Sequence, residues 1–360
     1  MTSIHRHSPV TRRLFDTLVL ILSVGMLAAP AGAASKPPEL VLLNWSEYMD
    51  PEVLQAFERE HGVRVREVYY DGDDDRDAMM LETEGRGFDL VLVNGALIET
   101  YQRRNWIAPI DASKIPNLQH IEPRWRSAYA SAETHAVPLF WGTLGIVYRS
   151  DLVPEPITRW MDILEPQQAL RGRIVMINSS RDLLGVVLKA LGFSANSNDP
   201  EELAAAERLL LAQKPFVKDY FFVLLTADSA IVKGDVLAAM VYNGDGLTLM
   251  EHEEALRYLV PEEGSLLWVD YLTITSSSPN KELAHRFLNF IHEPHRAARL
   301  ASYLHYATPN RAALALLPPE ELEDAAVYPP AELLEKLEAA TPLTPAAARL
   351  RNEIYNGLVE

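Results

Sequence analysis

Short apolar runs and helical repeats alternate along this chain. Glu39-Leu40-Val41-Leu42-Leu43 is a buried-strand pattern that continues to Trp45. Asp50 is suited to cap a helix and Pro51 to its first turn; Val53, Leu54 and Phe57 recur at helical spacing, and Gly62 is placed to end the helix. Val63 to Tyr69 alternates as a strand does, a second helical segment spans about 74–84, and Phe88-Asp89-Leu90-Val91-Leu92-Val93 is another buried strand. Strand, helix, strand, helix, strand at this spacing predicts parallel βαβ units.

The pattern recurs further on. Ile174–Ile177 predicts a strand and Asp182–Leu191 a helix, and Asp199-Pro200 opens a helix carrying Leu203, Leu209 and Leu210. Val236–Tyr242 predicts a strand running into Asn243-Gly244-Asp245, and Trp268–Ile274 predicts another. Asn280 is expected to cap a helix whose Leu283, Phe287, Phe290 and Ile291 share one face. The tail from Pro318 is expected to be helical wherever its prolines permit. There is no internal repeat of solenoid type. At 360 residues the chain is too long for one ordinary core, so two α/β lobes with a cleft between them are expected.

Residues 1–33 read differently. Arg6, Arg12 and Arg13 precede an apolar stretch from Leu18 to Ala29, and Ala31-Gly32-Ala33 is a small-residue cleavage pattern. The expectation is an export signal cleaved near Ala33. Thr11–Phe15 resembles a twin-arginine signal in part, but Asp16 departs from it, so the general secretory path is the expected route. The chain has no cysteine, which excludes disulfides, thiolate metal sites, a cysteine nucleophile and anchoring through a lipidated cysteine. The periplasm of a Gram-negative cell is the expected compartment. The net charge is −17; without residues 1–33 the chain keeps 30 basic and 49 acidic side chains, a charge of −19. That argues against nucleic acid or an anionic membrane as partner.

The candidate chemistry starts where the first strand ends. Asn44-Trp45-Ser46-Glu47-Tyr48 sets two aromatic rings and an acid at the carboxyl end of a strand, where open α/β sheets hold ligands. Ring faces and a carboxylate suit an organic cation; equally, such rings cap a core at a strand end.

Six motifs in order carry a resemblance over about Leu40–Tyr328: Asn44-Trp45-Ser46-Glu47-Tyr48, Phe88-Asp89-Leu90-Val91, Val137-Pro138-Leu139-Phe140-Trp141-Gly142, Tyr242-Asn243-Gly244-Asp245, Trp268-Val269-Asp270 and Tyr306-Ala307-Thr308-Pro309-Asn310. Together they resemble the polyamine-binding branch of periplasmic solute-binding proteins, which serve ABC importers for spermidine and putrescine. The resemblance implies a two-lobe solute-binding fold of type II. It places lobe 1 at 34–142 with about 271–305, and lobe 2 at about 143–270 with 306–360. Trp141-Gly142 is expected at the hinge.

The resemblance also implies a site. Trp45 matches a ring lining the ligand channel, with Ser46 and Tyr48 as polar neighbours. Asp270 matches a carboxylate that binds an ammonium, Trp268 a stacking ring and Tyr306 a further wall. Asp182 falls where the family has a glutamate that takes an amine. Asp245 matches an aspartate of putrescine-type members, with Tyr242 in place of their tryptophan. Three positions depart from the pattern: Ser179 stands where spermidine-type members carry an aspartate, Asn94 replaces a serine, and Ala96 replaces a larger wall residue. Ala340 stands in a loose alignment where a glutamine is common. The remaining groups fit a short diamine, or another small organic cation, better than spermidine. The expected partners are that cationic solute and an inner-membrane ABC permease; the alternative is a sensor reporting to a membrane receptor. A monomer is expected.

Other motifs carry less. Asp71-Gly72-Asp73-Asp74-Asp75-Arg76-Asp77 lacks the residue order and closing glutamate of a calcium loop and reads as a solvated loop capping the next helix. Tyr69 and Tyr70, adjacent on a strand, point to opposite faces and do not chelate one ion together. His252, His285, His292, His295 and His305 form no ligand spacing. With no Gly-x-Ser-x-Gly, Walker loop or zinc motif, no enzyme, cofactor or metal is expected.

Overall fold

The computed structural model describes residues 37–360 apart from Glu47, Asp71 and Ala130. The export signal expected at 1–33 lies outside these residues. The described residues form ten strands: β1 Glu39–Trp45, β2 Arg64–Tyr70, β3 Leu90–Asn94, β4 Ala136–Arg149, β5 Ile174–Met176, β6 Val217–Tyr220, β7 Ala238–Tyr242, β8 Leu256–Leu259, β9 Leu266–Ile274 and β10 Glu338–Ala339. Their order is β2-β1-β3-β9-β4-β7-β5-β6, with β8 pairing β4 and β10 pairing β9.

The first unit forms for the reasons its residues announce. Asp50 accepts a 2.8 Å bond from the Glu52 amide at the start of helix Pro51–His61, and Gly62 ends that helix at φ 64°. Val53, Leu54 and Phe57 are its buried face. β1 then pairs parallel with β2 on one side and β3 on the other. β1 is buried on both faces from Leu40 to Asn44, as a central parallel strand should be.

Two long strands decide the architecture. All 14 residues of β4 are buried. Its first part pairs antiparallel with β9, from Ala136↔Thr273 to Thr143↔Leu267, and its remainder pairs antiparallel with β7 and β8. β9 is inserted antiparallel between β3 and β4. Two main apolar cores result. One gathers β1–β3, Phe140 and Trp141 of β4, Val269 to Ile274 of β9, and Phe287 and Phe290 of helix Lys281–Ile291. The other gathers Leu144 and Ile146 of β4, Leu266 of β9, Leu183 to Leu188 and Leu203 to Leu210. β4 and β9 thus carry the chain from one core to the other. The stretch 306–360 divides its buried residues: Ala307 and Val327 join the first core, Ala347, Ile354 and Leu358 the second.

Two local expectations are corrected. Asn280 stands before helix Lys281–Ile291 but makes no side-chain cap; its Nδ2 turns back to Asp89 and to the Glu39 carbonyl, where it meets a buried carboxylate. Asn243-Gly244-Asp245 is not a strand end but the first turn of helix Asn243–His252.

Candidate ligand-binding site

β1, β3 and β7 end at Trp45, Asn94 and Tyr242, and Asn94 lies opposite Asp270 of β9. Tyr48 follows β1, and its hydroxyl donates to Asp270 Oδ2 at 2.7 Å. The Tyr48 ring lies 5.5 Å from that of Tyr306, and Tyr306 meets Trp268 edge-on at 5.0 Å. Trp268 in turn faces Tyr242 at 6.4 Å, and the Tyr242 hydroxyl donates to Asp182 Oδ2 at 2.9 Å. Trp268 and Asp270 share one face of β9 through its two-residue period. A continuous path of four rings therefore runs between two tyrosine–aspartate pairs.

Close packing builds this path. A Cβ on Gly244 would come within 2.1 Å of the Tyr306 ring, and one on Gly142 within 2.4 Å of Trp268 and 2.3 Å of Asn243 Oδ1. Both glycines let backbone approach an aromatic face. Gly142 sits where β4 changes partner from β9 to β7, with Trp141 beside it stacked on Trp125 at 4.6 Å.

The carboxyls and phenols of this path are half-buried. Tyr48, Asp182, Tyr242, Asp245, Trp268, Asp270 and Tyr306 each keep partial solvent access. Yet protein crowds the carboxyls on most sides. Burial pushes Asp245 up to about 7 and Asp270 up to about 6, the Tyr48 hydrogen bond opposing the latter shift. Burial raises Asp182 too, against the bonds from Ser179 and Tyr242. Burial also raises the phenols of Tyr48, Tyr242 and Tyr306, so they are neutral donors at any ordinary pH. Three carboxyls whose ionisation is hindered, set among ring faces, are poised to gain from a cationic guest.

The other expected residues take definite places. Trp45 packs on Tyr70 with ring centroids 4.7 Å apart. Ser46 is exposed in the turn after β1. Asn94 pairs with Asp270 across β3 and β9, and its Oδ1 accepts from the Ala96 amide at 3.1 Å. Ser179 caps helix Ser180–Ala190, its Oγ accepting from the Asp182 amide at 3.3 Å. It thereby orients the turn that carries Asp182. Among the described residues no group of three or more His, Cys, Asp or Glu could hold a metal ion.

With this geometry in view, the comparisons with known proteins are specific. A family model described as bacterial extracellular solute-binding protein matches residues 52–330. The chain belongs to that family. It is 33% identical over 322 residues to a norspermidine sensor of Vibrio cholerae, covering 89% of this chain and 88% of that protein. It is 30% identical over 342 residues to the spermidine/putrescine-binding periplasmic protein of Salmonella typhimurium, covering 94% and 95%. In three dimensions it resembles the spermidine/putrescine ABC transporter substrate-binding protein PotD of Streptococcus pneumoniae, with a TM-score of 0.81, 30% identity, and coverage of 89% and 98%.

The likeness to PotD makes this the two-lobe solute-binding fold. The family consists of solute-binding proteins and not of enzymes. Among the described residues no helix is long and apolar enough to cross a membrane. Two rings of the solute-binding protein stand beside the expected site residues in a way that its sequence did not indicate. Phe140 meets Tyr48 edge-on at 5.7 Å, and Tyr70 backs Trp45. Phe140 lies inside a motif singled out for other reasons, and Tyr70 inside a strand; nothing local in either signals proximity to a ligand.

Proposed function

We propose that this solute-binding protein binds a polyamine in the cleft between its lobes, a putrescine-length diamine in preference to spermidine, and delivers it from the periplasm to an inner-membrane ABC permease. The observation that carries this reading is the pair of tyrosine–aspartate contacts, Tyr48 with Asp270 and Tyr242 with Asp182, joined by the rings of Tyr306 and Trp268. Each phenol occupies one lone pair of its carboxylate and leaves the rest free for an ammonium. Ring faces between two acids suit an alkyl chain with a charge at each end. Asp245, on the turn beside Tyr306, adds a third acid. Trp45, Ser46, Asn94 and Ser179 complete the proposed lining. The lobes are taken to divide within β4 and β9, and the protein to act as a monomer. The relatives named for spermidine and putrescine support the solute class.

The test is calorimetric titration of the protein with putrescine, cadaverine, spermidine, spermine and agmatine. Binding of putrescine or cadaverine more tightly than spermidine is expected. If none of the five binds at millimolar concentration, the polyamine reading fails. A second reading is favoured by the norspermidine sensor, 33% identical to this chain: occupancy reported to a membrane receptor. A permease and ATPase encoded alongside support import, and a membrane signalling protein there supports sensing.

A further inference from the structure

Of the three acids in the site, side chains hold only two. Tyr48 fixes Asp270 and Tyr242 fixes Asp182. Among the described residues the Asp245 carboxyl takes no hydrogen bond and no ion pair. Its place therefore follows from where its backbone is put. That backbone is the first turn of helix Asn243–His252, with a glycine on each side of the acid, Gly244 and Gly246.

Both glycines lie under tyrosine rings. Gly244 meets Tyr306, and a Cβ on Gly246 would come within 2.5 Å of Tyr258 Cδ2. Tyr258 reaches the turn from β8, where it stands opposite Val147 of β4. Thr143, Gly145 and Val147 share one face of β4 through its two-residue period. The Tyr258 ring lies along that face, since a Cβ on Gly145 would stand 2.5 Å from its Cζ and its hydroxyl oxygen. At the far end the hydroxyl donates to the Thr143 carbonyl at 3.2 Å and lies 3.0 Å from Thr143 Oγ1. The Thr143 amide in turn donates to Asn243 Oδ1 at 3.2 Å. Thr143 and Asn243 are both buried, so these bonds do not compete with water. The turn that bears Asp245 is thus tied to β4 twice. One tie runs through Asn243, two residues before the acid, and the other through Tyr258, packed on the residue after it.

We propose that Tyr258 is a positioning residue of the ligand site, which together with Thr143 holds the turn of Asp245 and leaves both oxygens of that carboxylate to an ammonium of the guest. The proposal rests on the polyamine reading above. Tyr258 brings no charge of its own, because burial raises its phenol and keeps it neutral. Its action runs through the backbone. A carboxylate without a hydroxyl partner offers more lone pairs to an ammonium than Asp182 or Asp270 does. It also has more freedom to lose on binding, and a fixed turn limits that loss to one side chain.

The test is a double-variant cycle with Tyr258→Phe and Asp245→Asn, singly and together, titrated calorimetrically with putrescine. Phenylalanine keeps the ring over Gly145 and Gly246 and removes only the hydroxyl. Tyr258→Phe is expected to weaken putrescine by about threefold, the worth of a neutral hydrogen bond, and to have no effect once residue 245 is asparagine. Equal losses in both backgrounds mean a general structural role and overturn the proposal. So does an unaltered affinity in Tyr258→Phe or in Asp245→Asn. Followed by carbon NMR without ligand, the Asp245 carboxyl should titrate lower in Tyr258→Phe than in the unaltered protein, because a loosened turn admits water. Asp182 and Asp270 should not move. An Asp245 titration that stays put, or three carboxyls that move together, overturns the proposal as well. Should Tyr258→Phe fail to fold, Thr143→Val, which removes the other hydroxyl of the pair, takes its place in both measurements. Absence of putrescine binding by the unaltered protein overturns instead the polyamine reading, and the Asp245 titration then decides the positioning role alone.

Discussion

The hydroxyl of Tyr48 donates a 2.7 Å hydrogen bond to Oδ2 of Asp270, joining residues 222 positions apart in the chain. Burial holds the phenol well above its ordinary range, so it remains a donor and never a competing anion. The bond therefore fixes one carboxylate oxygen and presents the other. Tyr242 does the same for Asp182 from the other lobe. An acid held this way has little freedom left to lose when a cation arrives, and that pre-organisation is worth affinity.

Asp270→Asn keeps the size and the Tyr48 contact but removes the charge. Diamine affinity should fall by about tenfold or more, the worth of one charge-assisted hydrogen bond, while the melting temperature stays nearly unchanged. Calorimetry and a thermal melt together check this. Loss of folding would show that Asp270 serves the structure instead.

Binding should strengthen as pH rises. Asp270 and Asp245 sit at about 6 and about 7, above the usual carboxylate range, because burial penalises their charge. Below those values they are protonated and neutral, so a cation must displace a proton. Affinity for putrescine should rise between about pH 5 and 8 and flatten above, with proton release on binding across that window. Stability runs the other way. The folded state holds these protons more tightly than the unfolded chain, so the contribution is fully present below about pH 4 and is lost as pH rises through 6 and 7. The melting shift produced by putrescine should therefore be larger at pH 8 than at pH 5. A pH-independent shift would remove both aspartates from the binding reaction.

Gly244→Ala replaces none of the proposed ligand groups but crowds one of them. Its Cβ would stand 2.1 Å from Tyr306 Cε1, so the ring must move. Overpacking of this kind costs about 1–3 kcal/mol, read as a lower melting temperature. Displacing Tyr306 from between Tyr48 and Trp268 should also weaken diamine binding. Unchanged binding in a folded Gly244→Ala would argue that Tyr306 is not a wall of the site.

Ser179→Asp should change specificity without harming the fold. Aspartate caps a helix about as well as serine, and Ser179 already caps Asp182's helix. The added carboxylate should raise spermidine affinity relative to putrescine by about tenfold, the worth of one extra ammonium contact. Parallel titrations of the two amines give the ratio; a ratio that stays put would place position 179 away from the third amine.

Much of the fold was legible locally. Helix Pro51–His61 was readable from Asp50, Pro51 and Gly62, because caps and helical period depend on residues within a turn or two. The same holds for β1 and for the helix opened by Asp199, whereas the helix expected over Asp182–Leu191 starts two residues earlier, capped by Ser179. Asn280 shows the limit of such reading. It occupies a cap position, yet a buried carboxylate from another strand, Asp89, outbid the helix for its amide.

The sequence by itself determined six of the strands (β1, β2, β3, β5, β7 and β9), several of the longer helices and the residue types of the site: rings and acids at strand ends, a chain without cysteine, an acidic balance; β4, on which both cores depend, was not among them. Those follow from local periodicity and side-chain chemistry. Only the tertiary structure decided that β9 runs antiparallel between β3 and β4, and so that Tyr48 meets Asp270 while Tyr242 meets Asp182. Pairings between distant segments are chosen by the burial of whole sheets and cores. No local stretch carries that energy, and so none announces its outcome.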